Sequence, residues 1–459
     1  MVSELGKTLS DRVAECEPCS GENGTACLGL ARLFTIIIYF SLCAVCFADS
    51  THPEFSITHH SVDLEVSPQN QSLVCRDVFS VLSRESGLGA IEIYVSDMDN
   101  VSFTYQGQLL GWEEEIVRGN VSRIRLQLPV SLDREQSVEI LFSGEKKPYF
   151  FPIVTPIAQG ATGQIGPVSS FSSHILYYPI DEANNATGEV RIKVPKEYLA
   201  VSVGRLTETR EEDEHTVYTW ATNISTPRIL PFGFAIARYE VMDTESEQGT
   251  PIQIYYYQGE EEQAGERVRI ARDAVNFCEE LFGVCPFEKV AIAHVSPNTT
   301  IPAIWGVSLP TLVLLSDVFF EAEISQDYAN DPVEISMAGP LVIVDEISHQ
   351  WNGYGVAFPN ELAEGFAQYT DTLFAERYGG ERALKRHMAY YRDIYKKMIG
   401  LFPDAPISSP EVYNTSAYGG IAFGKGAMVL NMLRYVTTDE VFFPALKDLF
   451  TTRRGLENS

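Results

Sequence analysis

Basic residues are scarce in this chain: 34 lysines and arginines face 62 aspartates and glutamates, for a net charge of −28. Such a surface repels both nucleic acid and an anionic membrane, so neither is expected as a partner. Long apolar runs are nearly missing as well. Leu33 to Ala48 is the one example. It is shorter than the roughly twenty residues of a spanning helix, and any membrane attachment is confined to it. Cysteine is sparse beyond that segment, with only Cys75, Cys278 and Cys285. Cys278 and Cys285 either pair in an oxidising compartment, leaving Cys75 odd, or stay as buried thiols. Internal repeats and low-complexity tracts are absent, and the length suits two or three domains, each with its own core.

The apolar segment ends in Cys46-Phe47-Ala48, which puts small residues at the two positions a signal peptidase reads. Residues 1–32 before it are long for a signal peptide, so residues 33–48 are either a cleaved signal or an uncleaved signal anchor. Both send the bulk of the chain across a membrane. Asn70, Asn100, Asn120, Asn185, Asn223, Asn298 and Asn414 each open an N-x-Ser/Thr triplet without proline, the mark of glycosylated surface loops. The expected location is extracytoplasmic, secreted or membrane-anchored.

Ser61–Val66, Ala90–Val95, Arg123–Leu128 and Glu189–Val194 alternate apolar with polar residues, the period of half-buried strands. Turn-prone Gly144–Pro148 and Asp181–Asn185 lie between them. Residues 50–245 are expected to form an antiparallel β domain. The acidic, turn-rich run Asp243–Pro251 marks a boundary, and one further strand, Ile252–Tyr257, opens a second domain over 250–459. Helical patterns dominate there. Glu261–Phe282 is long and amphipathic, with Gly283 as its C-terminal cap. Two more helices open at Pro340 and Pro359, where a missing amide costs nothing, and Gly379-Gly380 stops the second.

On the helix after Pro340, the side chains of Leu341, Val342, Ile343, Val344, Ile347 and Trp351 point in almost every direction, so burial all round is expected. Asp345, Glu346 and His349 nevertheless share one sector about 100° wide. Two carboxylates and an imidazole on a buried helix need partners. A metal ion and a hydrogen-bonded structural network both meet that need.

Asp345-Glu-Ile-Ser-His349-Gln-Trp resembles the H-E-x-x-H-Q-W helix of the membrane alanyl aminopeptidase family of zinc metallopeptidases, the thermolysin-like gluzincins. Leu362-Ala-Glu364-Gly-Phe-Ala-Gln-Tyr369 resembles its N-E-G-F-A-x-Y helix. Phe277–Phe287 is similar to the family's F-G-x-x-x-P-F segment, Trp305-Gly306 to the pair following its G-x-M-E-N strand, and Phe423–Leu433 to its Y-x-K-G-A helix. The resemblance implies an α+β multidomain fold, with an N-terminal antiparallel β domain followed by a mainly helical thermolysin-like peptidase domain, and no counterpart of the family's C-terminal helical domain. It also implies zinc held by His349 and Glu364 with help from Asp345, water activated by Glu346, and peptides or protein N-termini as partners. Periodicity by itself reads Glu364 as a solvated carboxylate, opposite the stripe of Leu362, Phe366, Tyr369 and Leu373.

Three positions depart from the family pattern. Asp345 stands at the first histidine, and a second anionic ligand weakens a metal's Lewis acidity. Ala303 stands at the glutamate that holds a substrate's free amino terminus, just before Trp305 and Gly306. Phe423 replaces the tyrosine whose hydroxyl steadies the oxyanion, a loss on the order of 10²–10³ in rate. The interval from His349 to Glu364 is also shorter than the family's, so its loop must be trimmed. The expectation is an extracytoplasmic zinc aminopeptidase-family protein that hydrolyses peptides at a reduced rate. The alternative is a non-catalytic pseudopeptidase serving as a peptide-binding or structural surface.

Overall fold

The computed structural model describes residues 54–96, 98–118, 121–146, 163–171, 176–181, 186–222, 232–296, 306–320, 340–358, 360–407, 409 and 417–454. The expected signal or anchor, Pro359, and the triplets at Asn120, Asn185, Asn223, Asn298 and Asn414 lie outside them. Asn70 and Asn100 are described, and both are exposed. No described helix is long and apolar enough to cross a membrane.

Alternation becomes sheet in the first half. In strand Phe55–Ser67, Val62, Leu64 and Val66 are buried while Asp63 and Glu65 face solvent. The other three expected strands lie within Leu88–Ser96, Val121–Leu132 and Thr187–Pro195. They belong to an eight-stranded and a three-stranded sheet that contribute to one apolar core. The named strand pairs of this half are antiparallel with one exception. Phe55–Ser67 runs parallel to Thr187–Pro195, with Val62 opposite Val190 and Leu64 opposite Ile192. The two strands are distant in the chain, so no tight turn dictates their relative direction.

Asp243–Pro251 forms the tip of a hairpin, Tyr239–Glu245 against Pro251–Tyr257. That hairpin begins a five-stranded sheet whose inner strands Pro251–Tyr257, Val290–Val295 and Leu312–Ser316 run parallel, with Gly306–Leu309 antiparallel and outermost. One face, with Ile254, Ile292 and Val313, packs into the helical core. The other, with Tyr255, Ala293 and Leu314, packs into the core of the β half. Burial on both faces makes such strands read as continuous apolar runs, and this is why alternation revealed only one of them.

Helix Glu261–Phe282 buries Ala264, Ile270, Ala271, Ala274 and Cys278 on this sheet's helical side. Each isoleucine or phenylalanine buried this way contributes roughly 1.5–3 kcal/mol. It ends as expected at Gly283, whose φ of 91° lets its N–H donate to the Glu279 carbonyl at 3.0 Å. Cys75, Cys278 and Cys285 are buried free thiols. Pro340 opens helix Pro340–Ser348. The long helix Asn360–Ile399 is interrupted at Gly380, φ 67° and ψ −167°, where the glycine pair predicted a stop. A π-helix, Gly419–Lys425, leads into helices Gly426–Thr437 and Asp439–Thr452. Gly426 meets Gly365 where this segment crosses the long helix. A Cβ on Gly426 would lie 2.7 Å from the Gly365 Cα, so the crossing admits no side chain there.

Candidate metal centre

Burial all round is what the motif helix shows: Leu341, Val342, Ile343, Val344 and Ile347 are all at most 3% exposed. Polar residues past its end lock it to the neighbouring strands. Gln350 accepts from the Thr311 amide at 2.8 Å and donates to the Leu309 carbonyl at 2.9 Å. Trp351 donates its indole N–H to the Gly283 carbonyl at 2.8 Å. The Ser308 hydroxyl donates to the Glu346 carbonyl at 2.8 Å, and Tyr354 donates to the Ser308 carbonyl at 2.5 Å. A helix held at its C-terminal end and along one side keeps its functional side chains in place.

Asp345, Glu346 and His349 each present a ligand atom, all within 4.8 Å of one another. His349 Nε2 lies 3.7 Å from Asp345 Oδ2 and 3.7 Å from Glu364 Oε2. The trimmed loop between them turns sharply at Gly353, φ 104°, and still brings Glu364 to His349. The solvated reading of Glu364 from periodicity is therefore corrected: its side chain is 27% exposed and faces the imidazole. His349 Nδ1 sits 3.2 Å from the Asn352 carbonyl. That carbonyl can only accept, so Nδ1 carries a proton, and Nε2 is the nitrogen a metal would take on releasing the second proton. Glu346 Oε1 rests against Gly306, where a Cβ would come within 2.6 Å of it.

Electrostatics follows from crowding. Burial, with Glu364 nearby, pushes Asp345 up to about 7, against the opposing pull of His349. Burial and the Asp345 charge push Glu346 up to about 8. Burial disfavours the His349 cation, but the hydrogen bond and charge of Glu364, with Asp345 and Glu346, outweigh it and raise His349 to about 10. Asp371 is fully buried with no hydrogen-bond partner at either oxygen, and burial, then the charges of Asp345 and Glu346, push it well above the usual carboxylate range.

Gln368 and Tyr391 were not singled out in the sequence. Gln368 donates its amide to Asp345 Oδ1 at 2.5 Å, and Tyr391 donates its hydroxyl to Gln368 Oε1 at 2.7 Å. Position 368 lies one helical turn after Glu364 and so shares its face, but the contact with Asp345 on another helix leaves no local signal. Phe423 lies in the π-helix, half-buried, its ring edge-on to Tyr418 at 5.6 Å. Gly306 begins the outermost strand. Ala303 and Trp305 lie outside the described residues.

A family model described as the peptidase family M1 domain matches residues 318–456. Mouse glutamyl aminopeptidase is 26% identical over 286 residues, covering 57% of this chain and 28% of that protein. Rat aminopeptidase N is 33% identical over 123 residues, 24% of this chain and 13% of that protein. A crystal structure of an M1 zinc metallopeptidase from Deinococcus radiodurans superposes with a TM-score of 0.64 at 19% identity, covering 88% of each chain. Residues 318–456 carry a peptidase family M1 domain. The chain aligns with 28% of the length of the mouse glutamyl aminopeptidase. A mutant of the Deinococcus enzyme has been solved bound to a Tyr-Ser-Ala substrate, at a TM-score of 0.62 and 20% identity to this chain.

Family M1 implies zinc, and the donors here fit a divalent cation. His349 Nε2 and two carboxylate oxygens converge from two helices. His349 Nε2 lies 3.7 Å from each carboxylate, against ligand atoms on the order of 3.3 Å apart around tetrahedral zinc.

Proposed function

We propose that this chain is an extracytoplasmic metallopeptidase, secreted or anchored through residues 33–48, that hydrolyses peptides slowly with Glu346 as general base. One observation carries the reading: His349 Nε2 is faced at 3.7 Å by both Asp345 and Glu364. A cation held there would polarise a carbonyl and acidify a water. Glu346 would take that water's proton and pass it to the departing amine. Strand Gly306–Leu309, the outermost of its sheet and beside Glu346, offers an extended peptide a backbone to lie along. The tripeptide bound to the Deinococcus enzyme supports peptides as the substrate class. Ala303 has no carboxylate for a free amino terminus, so selectivity for N-termini should be poor.

A non-catalytic peptide-binding surface is the second reading, favoured by Phe423, which has no hydroxyl to offer an oxyanion. Elemental analysis and peptide hydrolysis separate the two. One metal per chain, with hydrolysis that Glu346→Gln abolishes while the metal stays, supports the first reading. Metal without hydrolysis in the wild type supports the second. Absence of metal after loading with zinc or manganese overturns the metal centre itself.

A further inference from the structure

Asp345 is not a bare replacement for histidine, because the residues around it are arranged for a carboxylate. Gln368, 4% exposed, aims its amide N–H at Asp345 Oδ1. An ionised carboxylate only accepts, and this contact therefore fixes which way the Gln368 amide points. Tyr391, 2% exposed, donates to the amide's other end and completes a buried relay across both halves of the long helix. With Oδ1 occupied, Oδ2 is the oxygen left facing His349 Nε2. A ligating histidine has the opposite need. Its second nitrogen carries a proton and requires an acceptor behind it, and the Gln368 amide presents a donor. The wiring at position 345 serves aspartate as it stands, and a histidine there would require the Gln368 amide to turn over and present Oε1.

The donor set that results is one imidazole nitrogen and two carboxylate oxygens, with a third carboxylate, Glu346, alongside. Imidazole suits zinc, whereas carboxylate oxygens suit manganese, magnesium and calcium. We propose that Asp345, seated by Gln368 and Tyr391, is a built metal ligand that narrows the preference for zinc and opens the centre to harder, oxygen-preferring divalent cations, manganese foremost. The inference rests on the proposed metal centre and adds its selectivity. Zinc remains the tighter ion in absolute terms, as the general order of divalent affinities requires; what shifts is the ratio. Gln368 and Tyr391 act through Asp345 and are positioning residues.

The test uses the full chain, stripped with chelator and titrated with manganese, read by loss of the free-ion electron paramagnetic resonance signal, and separately with zinc against a competing indicator. Wild type, Asp345→His, Gln368→Met and Tyr391→Phe are compared. The zinc-to-manganese affinity ratio is expected to be at least tenfold smaller in wild type than in Asp345→His. Gln368→Met should lose about 10–100-fold in affinity for manganese, the usual cost of removing a ligand's supporting partner. Its metal-free unfolding temperature should stay within a few degrees of wild type, which a merely structural role would not allow. Tyr391→Phe, which removes a single hydroxyl, should lose less in the same direction and serves if Gln368→Met does not fold. An equal ratio in wild type and Asp345→His overturns the inference and leaves the metal centre standing. Failure of every variant to bind either ion overturns the centre and the inference together.

Discussion

Glu364 Oε2 lies 3.7 Å from His349 Nε2, although the two residues sit on different helices and Glu364 projects away from its own helix's apolar stripe. The pairing makes Glu364 the carboxylate on which the centre depends. Glu364→Ala should remove a ligand and lower affinity for zinc by at least about 10²-fold, since the loss of even a supporting group costs 10–100-fold. Isothermal titration with zinc checks this, and unchanged affinity would remove Glu364 from the site.

Gly306 is where the base meets the sheet. A methyl group there would stand 2.6 Å from Glu346 Oε1, and the carboxylate must move to admit it. Gly306→Ala should cost about 1–3 kcal/mol by overpacking and lower kcat more than KM. Urea unfolding and steady-state peptide hydrolysis measure the two effects, and a silent Gly306→Ala would place Glu346 elsewhere.

Stability should depend on pH with a definite sign. Asp345 and Glu346 rise from the carboxyl range of about 4 in the unfolded chain to about 7 and about 8. His349 rises from about 6.5 to about 10. In each case the folded state holds its proton longer. Stability from this site is full below about pH 4 and drains as pH rises through these folded values, because the native chain binds more protons than the unfolded one. Metal-free protein should therefore unfold at progressively lower urea concentration from pH 5 to pH 9. Glu346→Gln should flatten that slope between about pH 4 and pH 8, and a slope of opposite sign would contradict the burial of these groups.

Asp371 should be dispensable as an acid. It is fully buried with both oxygens unpartnered. Asp371→Asn keeps the shape without the ionisable group, and it should leave stability at pH 5 within about 1 kcal/mol while raising it at pH 9. Paired denaturation curves at the two pH values decide the matter.

Turnover should be limited by the oxyanion side of the site. Phe423→Tyr, which adds a hydroxyl, should raise kcat by on the order of 10² where catalysis exists at all. Asp345→His alone should shift metal preference toward zinc with little gain in turnover, and Ala303→Glu should be needed for amino-terminal selectivity. Peptide hydrolysis with free and acetylated N-termini checks each step, and a Phe423→Tyr variant no faster than wild type would put position 423 out of reach of the reacting carbonyl.

Much of this protein was written locally. Alternation at Val62, Leu64 and Val66 determined half-buried strands, Gly283 and Gly380 determined where helices break, and the single sector of Asp345, Glu346 and His349 determined that a buried helix carries charge needing a partner. Local periodicity has no view of a second element, and here its limits show. It put Glu364 in solvent, because a residue opposite one apolar stripe can still face another helix. Alternation revealed one strand of the five-stranded sheet, because burial on both faces erases the period of two. It passed over Gln368 and Tyr391, whose meaning arises only when the two halves of the long helix bring an amide and a hydroxyl in line behind Asp345. The residues of the centre were thus legible in the sequence through a motif. Whether position 345 is a lesion or a ligand depends on which donor stands behind it, and that is set by helix packing across many intervening residues.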